Sequence, residues 1–216
     1  MKYIIMCGGT YGNWEDTPKH LAKVGGEAIV ERTIRLLREA GISNICISAN
    51  DERFKQFGVP VLEHTNTFKV YTAEDCGEWV EAFYPTDEPA CYLMGDVFYS
   101  PGAIEKIVET KTDDIEFFAS APPFADNYIK PWAEPIAFKV VNQKHLREAI
   151  ETVKHLHTAG VFRRNPVAWE LWQVIKNTPL NMIITNYTVI NDYTCDIDSR
   201  EDAAKMEAVL RGIDND

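Results

Sequence analysis

Tyr3-Ile4-Ile5-Met6-Cys7 runs straight into Gly8-Gly9-Thr10-Tyr11-Gly12-Asn13, and the chain recovers at Thr17-Pro18-Lys19-His20-Leu21. The apolar run has the length and composition of a buried strand, and the polar stretch after it has those of a loop. Glycine carries no Cβ, so successive backbone N–H groups there can approach an anion closely. A loop directly after an N-terminal strand also lies where open α/β sheets bind ligands, beyond the carboxyl ends of their strands. Cys7, Gly8, Gly9, Thr10 and Gly12 are therefore the first candidates for contact with a phosphate-bearing ligand. The spacing fits neither G-x-x-x-x-G-K-[ST] nor G-x-G-x-x-G, which sets aside the nucleotide-hydrolase loop and the dinucleotide fingerprint. An ordinary strand-to-loop turn is the structural alternative for the glycines taken alone.

Working outward, Val24-Gly25-Gly26-Glu27 reads as a tight hairpin and Glu27 to Ala40 as a helix, with Ile29, Thr33, Leu36 and Leu37 at helical spacing and Gly41 as its stop. Asn44-Ile45-Cys46-Ile47-Ser48 is a second strand that ends at Ala49-Asn50-Asp51, where Asn50 either touches a nucleotide or closes an Asx turn. Glu52 to Phe57 reads as a helical turn and Val59 to Leu62 as a strand that Pro60 confines to an edge. Residues from Thr72 lead through Gly77 into a helix ending near Tyr84-Pro85. Ala90-Cys91-Tyr92-Leu93-Met94 is another buried strand, stopped by Gly95-Asp96, which sets Asp96 on the same sheet edge as the glycine loop. Ser100-Pro101 gives the next helix an N-cap and a first-turn proline. Ile115 to Ala119 and Ile136 to Val141 are strands, Gln143 to His155 is a helix, and Pro166 opens a helix through Trp172 and Ile175. Arg163-Arg164 beside that helix reads as surface charge or, alternatively, as an anion contact.

Between the last two strands, residues 122 to 135 interleave Pro122, Pro123, Pro131 and Pro135 with Phe124, Tyr128 and Trp132. Long loops of this kind in compact domains carry function, so a second substrate is expected there. Near the C-terminus, Ser199 to Asp202 fits the capping box of a final helix, which leaves Asp196 and Asp198 unexplained. At period 2 on an extended segment they face the same way, and two such carboxylates repel unless a cation or proton lies between them.

Together, Gly8-Gly9, Gly12, Pro18-Lys19, the Gly25-Gly26 hairpin and the Asp196-Ile197-Asp198-Ser199 element resemble the sugar-phosphate nucleotidyltransferases and their cytidylyltransferase relatives. One departure is visible, because Asn13-Trp14 stand where that family carries an Arg soon after its last loop glycine. The resemblance implies a single α/β domain over residues 1 to 216, a three-layer sandwich with a mostly parallel mixed central sheet of the nucleotide-diphospho-sugar transferase type. It further implies an enzyme that transfers a nucleotidyl group from a nucleoside triphosphate to a phosphomonoester, a sugar 1-phosphate first among the acceptors, with pyrophosphate release. On this resemblance Lys19 and Asp96 are catalytic, Asn50, Gly77 and Gly95 join the loop in nucleotide binding, and Lys130, Trp132 and Glu134 meet the acceptor. Asp96, Asp196 and Asp198 would hold Mg²⁺. Two alternatives share the pattern: a glycosyltransferase using a nucleotide-sugar donor, for which Lys19 would have no task, and a nucleotide-binding protein without catalysis.

The totals agree with a globular enzyme. Hydrophobic residues make up 45% and charged residues 25% of the 216 residues, as in ordinary folded domains. A formal net charge of −11 opposes nucleic acids and anionic membranes as partners, so positive charge for phosphates must be supplied locally. Cys7, Cys46, Cys76, Cys91 and Cys195 are odd in number and lack C-x-x-C spacing, which suggests free thiols in a reducing compartment. Without a signal-like or membrane-spanning run, a cytoplasmic location is expected. His155 and His157 have no ligand-spaced partners and are read as structural.

Overall fold

A computed structural model describes residues 1–8, 14, 17–64, 79–120, 133–162, 164–181 and 186–213. Gly9, Thr10, Gly12, Gly77, Lys130 and Trp132 lie outside the described residues, as do Cys76 and Arg163.

In chain order the elements are β1 (Lys2–Met6), β2 (Lys23–Val24), β3 (Glu27–Ala28), α1 (Ile29–Glu39), β4 (Ile45–Ala49), β5 (Val61–Glu63), β6 (Ala90–Met94) and β7 (Val97–Phe98). There follow α2 (Pro101–Glu109), β8 (Ile115–Ser120), β9 (Pro135–Val140), α3 (Gln143–Thr158), α4 (Ala168–Ile175), β10 (Thr188–Ile190), β11 (Cys195–Asp196) and α5 (Arg200–Ile213). Seven strands form the main sheet in the order β10-β8-β9-β6-β1-β4-β5. All neighbours are parallel except β9, which runs antiparallel to both β6 and β8. Helices flank this sheet, with α1 touching α2 and α3 packed along α4. The expected mixed, mostly parallel architecture is thus the observed one.

The strands at the centre are mostly apolar because both of their faces are covered. Every residue of β4 and β6 is buried, and Ile4, Ile5, Tyr92 and Leu93 are completely so. The register sets Met6 opposite both Ser48 and Met94, so β1, β4 and β6 end together at one edge. Two-residue strands β7 and β11 pair outside the main sheet, with Asp196 opposite Val97, and the Ile197 N–H donates to the Asp96 carbonyl at 2.8 Å. That ribbon, about 100 residues apart in sequence, carries the C-terminal acids to the end of β6.

Several local predictions hold. The Ser100 hydroxyl caps α2 by accepting from the Ala103 N–H at 2.9 Å, with Pro101 in the first turn. Ser199 accepts from the Asp202 N–H at 3.1 Å and donates to the Asp202 carboxylate at 2.9 Å. Glu27 is different: Gly25 and Gly26, at φ +62° and +85°, turn the chain so that Lys23 pairs with Ala28, and α1 starts only at Ile29. The strand read at Val59 to Leu62 is shifted to β5, still at the sheet edge, and the helix read to His155 continues to Thr158. Val80–Ala82 forms one 3₁₀ turn, the described part of the helix expected before Tyr84. Among the described residues no helix is long and apolar enough to cross a membrane. Cys7, Cys46, Cys91 and Cys195 are buried, and no disulfide joins them among the described residues.

Candidate functional site

Lys19 opens a short 3₁₀ turn, Lys19–Leu21, immediately after Pro18. Its neighbour His20 is 2% exposed, and its ring meets Phe54 edge to face at 6.0 Å. Burial of His20 anchors the turn, and burial also lowers the His20 pKa to about 4, so the ring is neutral. With His20 committed to the interior, the adjacent Lys19 side chain turns to the sheet edge. There its amine donates to Asp198 Oδ1 at 2.8 Å and forms a closer ion pair with Asp96. One amine thus joins an acid from the end of β6 to an acid beyond β11. The sequence assigned Lys19 to the ligand and the aspartates to a cation, and the fold brings all three into one ion-paired group.

Burial by itself would lower the Lys19 pKa, yet Asp96 and Asp198 outweigh it and raise the amine above its ordinary value. Asp96 is the mirror case: burial pushes its carboxyl up, but the Lys19 charge and hydrogen bond hold it below the usual carboxylate value. Asp196 shifts the other way. Burial, a side-chain hydrogen bond with Asp198 and the nearby charges of Glu134, Asp198 and Asp96 push it up to about 9. Asp196 and Asp198 do converge, as their period-2 spacing implied, with Asp196 buried and Asp198 half-buried.

Glu134 belongs to the same edge. Its backbone exchanges hydrogen bonds with Ser120 at the end of β8, donating to the hydroxyl at 2.8 Å while its carbonyl accepts from the Ser120 N–H at 2.9 Å. Cys7 is buried at the end of β1, its N–H bound to the Ser48 carbonyl at 2.9 Å, and Gly8 follows it. Burial, then the Asp96 charge, keep the Cys7 thiol well above its ordinary pKa, so it is a packed neutral group. Asn50 is exposed just past β4. Gly95 has a reason of its own: a Cβ there would lie 2.3 Å from the Met6 carbonyl oxygen and 2.7 Å from the Cys7 sulfur.

Two contributors were not assigned to the site from the sequence. Trp14 is buried, and its indole N–H donates to the Asp198 carbonyl at 3.0 Å. The other is Arg32, whose guanidinium lies 4.3 Å from the centre of the Phe98 ring while its Nε donates to the Tyr99 carbonyl at 2.9 Å. It braces the segment running from β7 into α2. Arg164 forms an ion pair with Glu170 at 2.8 Å.

The donor set suits a hard divalent cation. No group of three or more His, Cys, Asp or Glu side chains stands ready to hold a metal among the described residues. Mg²⁺ does not require one, because it takes one or two carboxylates and completes its octahedron with water and phosphate oxygens. Asp96 and Asp198, both within reach of a single amine, meet that requirement.

Asp196 yields the first expected result. Because its folded pKa lies above the ordinary 3.8, it favours folding fully only below that value, and the benefit is lost as pH rises toward about 9. Asp196→Asn removes the titration and keeps a polar group of the same shape. At pH 8 without divalent ions its melting midpoint should exceed that of the wild type by about 3 °C or more, a gain of ~1 kcal/mol. At pH 4 the two should coincide. A lower midpoint for the variant at pH 8 would mean that Asp196 is ionised and paired.

The described part of the site is thus an amine ion-paired to two acids at the edge where β1 and β6 end. Residues 3–165 match the MobA-like NTP transferase domain, and the chain belongs to that family. It is a nucleotidyltransferase. No curated protein sequence matches the chain. Among solved structures it is similar to the CTP:phosphocholine cytidylyltransferase of Streptococcus pneumoniae, with TM-score 0.52 and 18% identity over 97% of this chain and 98% of that one. The inositol-1-phosphate CTP transferase of T. maritima gives TM-score 0.58 and 14% identity, over 98% of this chain and 96% of that one. The 4-diphosphocytidyl-2C-methyl-D-erythritol synthase of Anaerococcus prevotii gives TM-score 0.56 and 15% identity over 97% of both chains. At these identities the likeness concerns the fold.

Proposed function

We propose that the protein is a cytoplasmic, single-domain, Mg²⁺-dependent enzyme that transfers a nucleoside monophosphate from a triphosphate to a phosphomonoester, a sugar 1-phosphate being the favoured acceptor. The observation that carries this reading is the Lys19 amine held between Asp96 and Asp198 beside Gly8, at the edge where β1 and β6 end. The names of two similar structures, a phosphocholine and an inositol 1-phosphate transferase, support a phosphomonoester as acceptor.

In this reaction an acceptor phosphate oxygen attacks the α-phosphorus in line, the bond from that phosphorus to the bridging oxygen breaks, and pyrophosphate leaves with the electron pair. The attacking oxygen is already anionic, so no residue need remove a proton. Catalysis then rests on positioning and charge neutralisation. Backbone N–H groups from Gly8 onward hold phosphate oxygens, as nests of successive N–H groups do. Lys19 retains its proton, because both aspartates favour the charged amine, and it neutralises the departing pyrophosphate. Asp96 and Asp198 would hold Mg²⁺, whose charge when bound draws the phosphates together and offsets their repulsion. Glu134 stands at the end of β9 nearest the acids, where acceptor hydroxyls can reach it.

The test is pyrophosphate release from the four common nucleoside triphosphates, each paired with a panel of sugar phosphates, polyol phosphates and phosphocholine. One pairing should stand out, and its rate should fall about 10²-fold in Asp96→Asn, as when one transition-state contact is lost. Absence of pyrophosphate from every pairing, or a wild-type rate in Asp96→Asn, would overturn the reading.

A further inference from the structure

We infer that Trp14 is a positioning residue for this reaction, aiming the Asp198 carboxylate through a hydrogen bond to the Asp198 backbone, an inference that rests on the function proposed above. Packing explains the Trp14 ring, which lies in a small apolar cluster with Val24, Ile29, Phe98, Ile197 and Met206. Packing does not explain where its N–H goes. A buried indole N–H needs an acceptor, and any nearby carbonyl would satisfy that need. The acceptor here is the carbonyl of Asp198 itself, at 3.0 Å and 184 residues away in sequence.

The surroundings show why that choice matters. The Ile197 N–H donates to the Asp96 carbonyl at 2.8 Å, and the Asp198 N–H donates to the Asp202 carboxylate at 3.2 Å. Trp14 fixes the next peptide group, on the far side of the Asp198 Cα. Both peptide planes flanking that Cα are therefore held, and the direction of its side chain follows. Remove the indole N–H, and the Asp198 backbone keeps its hydrogen bond to Asp202, at the long end of the range, while its carboxylate keeps the Lys19 ion pair. Because misplacing a reacting group by about 1 Å can cost about 10²-fold, a looser clamp should appear in turnover before it appears in stability.

Trp14→Phe tests this, since it keeps the buried ring and deletes only the N–H. The expected result is a fall in kcat of about 10-fold, with KM for the triphosphate within about 2-fold of wild type. In an Asp198→Asn background, Trp14→Phe should add nothing further, because both changes act through the same carboxylate. Mn²⁺ binding followed by electron paramagnetic resonance reads the same clamp without turnover, and Trp14→Phe should weaken it about 5-fold or more. A purely structural Trp14 would lower the melting midpoint and leave kcat and Mn²⁺ affinity alone, and that pattern overturns the inference. So would an additive effect in the Asp198→Asn background, or wild-type protein that binds no Mn²⁺. If wild-type protein releases no pyrophosphate from any pairing, the proposed function fails, and the Mn²⁺ comparison decides Trp14 by itself.

Discussion

Lys19→Met should lower the rate of pyrophosphate release by about 10² to 10³-fold, the range seen when a single preorganised charge-stabilising contact is lost. It should also lower the melting midpoint in the absence of divalent ions. Met matches the length of the lysine stem and supplies no charge, so Asp96 and Asp198 would face each other uncompensated. Losing one partner of a fully buried ion pair costs about 3–5 kcal/mol, and this group is less sheltered. Lys19 and Asp96 are 21% and 22% exposed and Asp198 is 46% exposed. A loss of about 1–3 kcal/mol is expected, or roughly 3–10 °C in a chain of this size. The pH window follows from the directions of the shifts. Lys19 is raised, so its contribution is complete below its ordinary 10.5 and disappears as pH climbs through the folded value. Asp96 is lowered, so its contribution is present above its ordinary 3.8 and is lost as pH falls through the folded value. The difference between wild type and variant should therefore be flat across neutral pH and shrink at both extremes. Millimolar Mg²⁺ should restore much of the midpoint and none of the rate, which separates charge balance at rest from charge neutralisation during transfer. A rate at the wild-type level would remove Lys19 from the mechanism.

What the sequence disclosed and what it concealed divide by distance along the chain. The end of β1, the end of β6, the Ser100 cap and the Ser199–Asp202 box are each written within a few neighbouring residues, where hydrophobic pattern and side-chain capping act directly. Lys19 and the two acids were legible as candidates for the same reason. Their ion pairing was not, because it depends on the β7–β11 ribbon, whose two strands are too short to leave a pattern. Trp14 was visible only as a departure from the expected loop, since its partner lies at the other end of the chain. Lys139 was read inside a strand, as observed, but its burial was not legible. It sits in β9 at 6% exposure, where a lysine argues against a buried strand. Its amine is satisfied by the carbonyls of Ile107 and Val108, both at 2.8 Å, in the last turn of α2. A helix C-terminus offers unpaired carbonyls and partial negative charge, and only the packed structure reveals that β9 passes beneath one. Glu27 failed through competition, because the helical spacing extended into a segment that the Gly25-Gly26 turn claims for a hairpin.

Gly95→Ala joins the sheet to the chemistry, and it should be strongly destabilising. The new Cβ would lie 2.3 Å from the Met6 carbonyl oxygen and 2.9 Å from its carbonyl carbon, distances that real Cβ atoms do not adopt. The obstacle is backbone, so no rotamer relieves it. Nor can β1 withdraw: Met6 is paired with Ser48 on one side and Met94 on the other, and the Gly95 N–H itself donates to the Met6 carbonyl at 3.0 Å. Overpacking a well-filled interior costs about 1–3 kcal/mol when side chains can yield, so an unyielding backbone should cost at least ~3 kcal/mol. The midpoint would then fall by roughly 10 °C. Whatever protein folds must separate the ends of β1 and β6, and that displaces Asp96 from Lys19, so the residual turnover per folded molecule should drop as well. Gly102→Ala is the control. Gly102 lies within α2, and its nearest contacts would be 3.8 and 3.9 Å from an added Cβ. Relief of glycine's unfolded-state entropy there should stabilise by about 0.4–1 kcal/mol. If Gly95→Ala melted with the wild type while retaining full turnover, the close approach of β1 to β6 would be wrong, and with it the placement of Asp96 beside the glycine stretch.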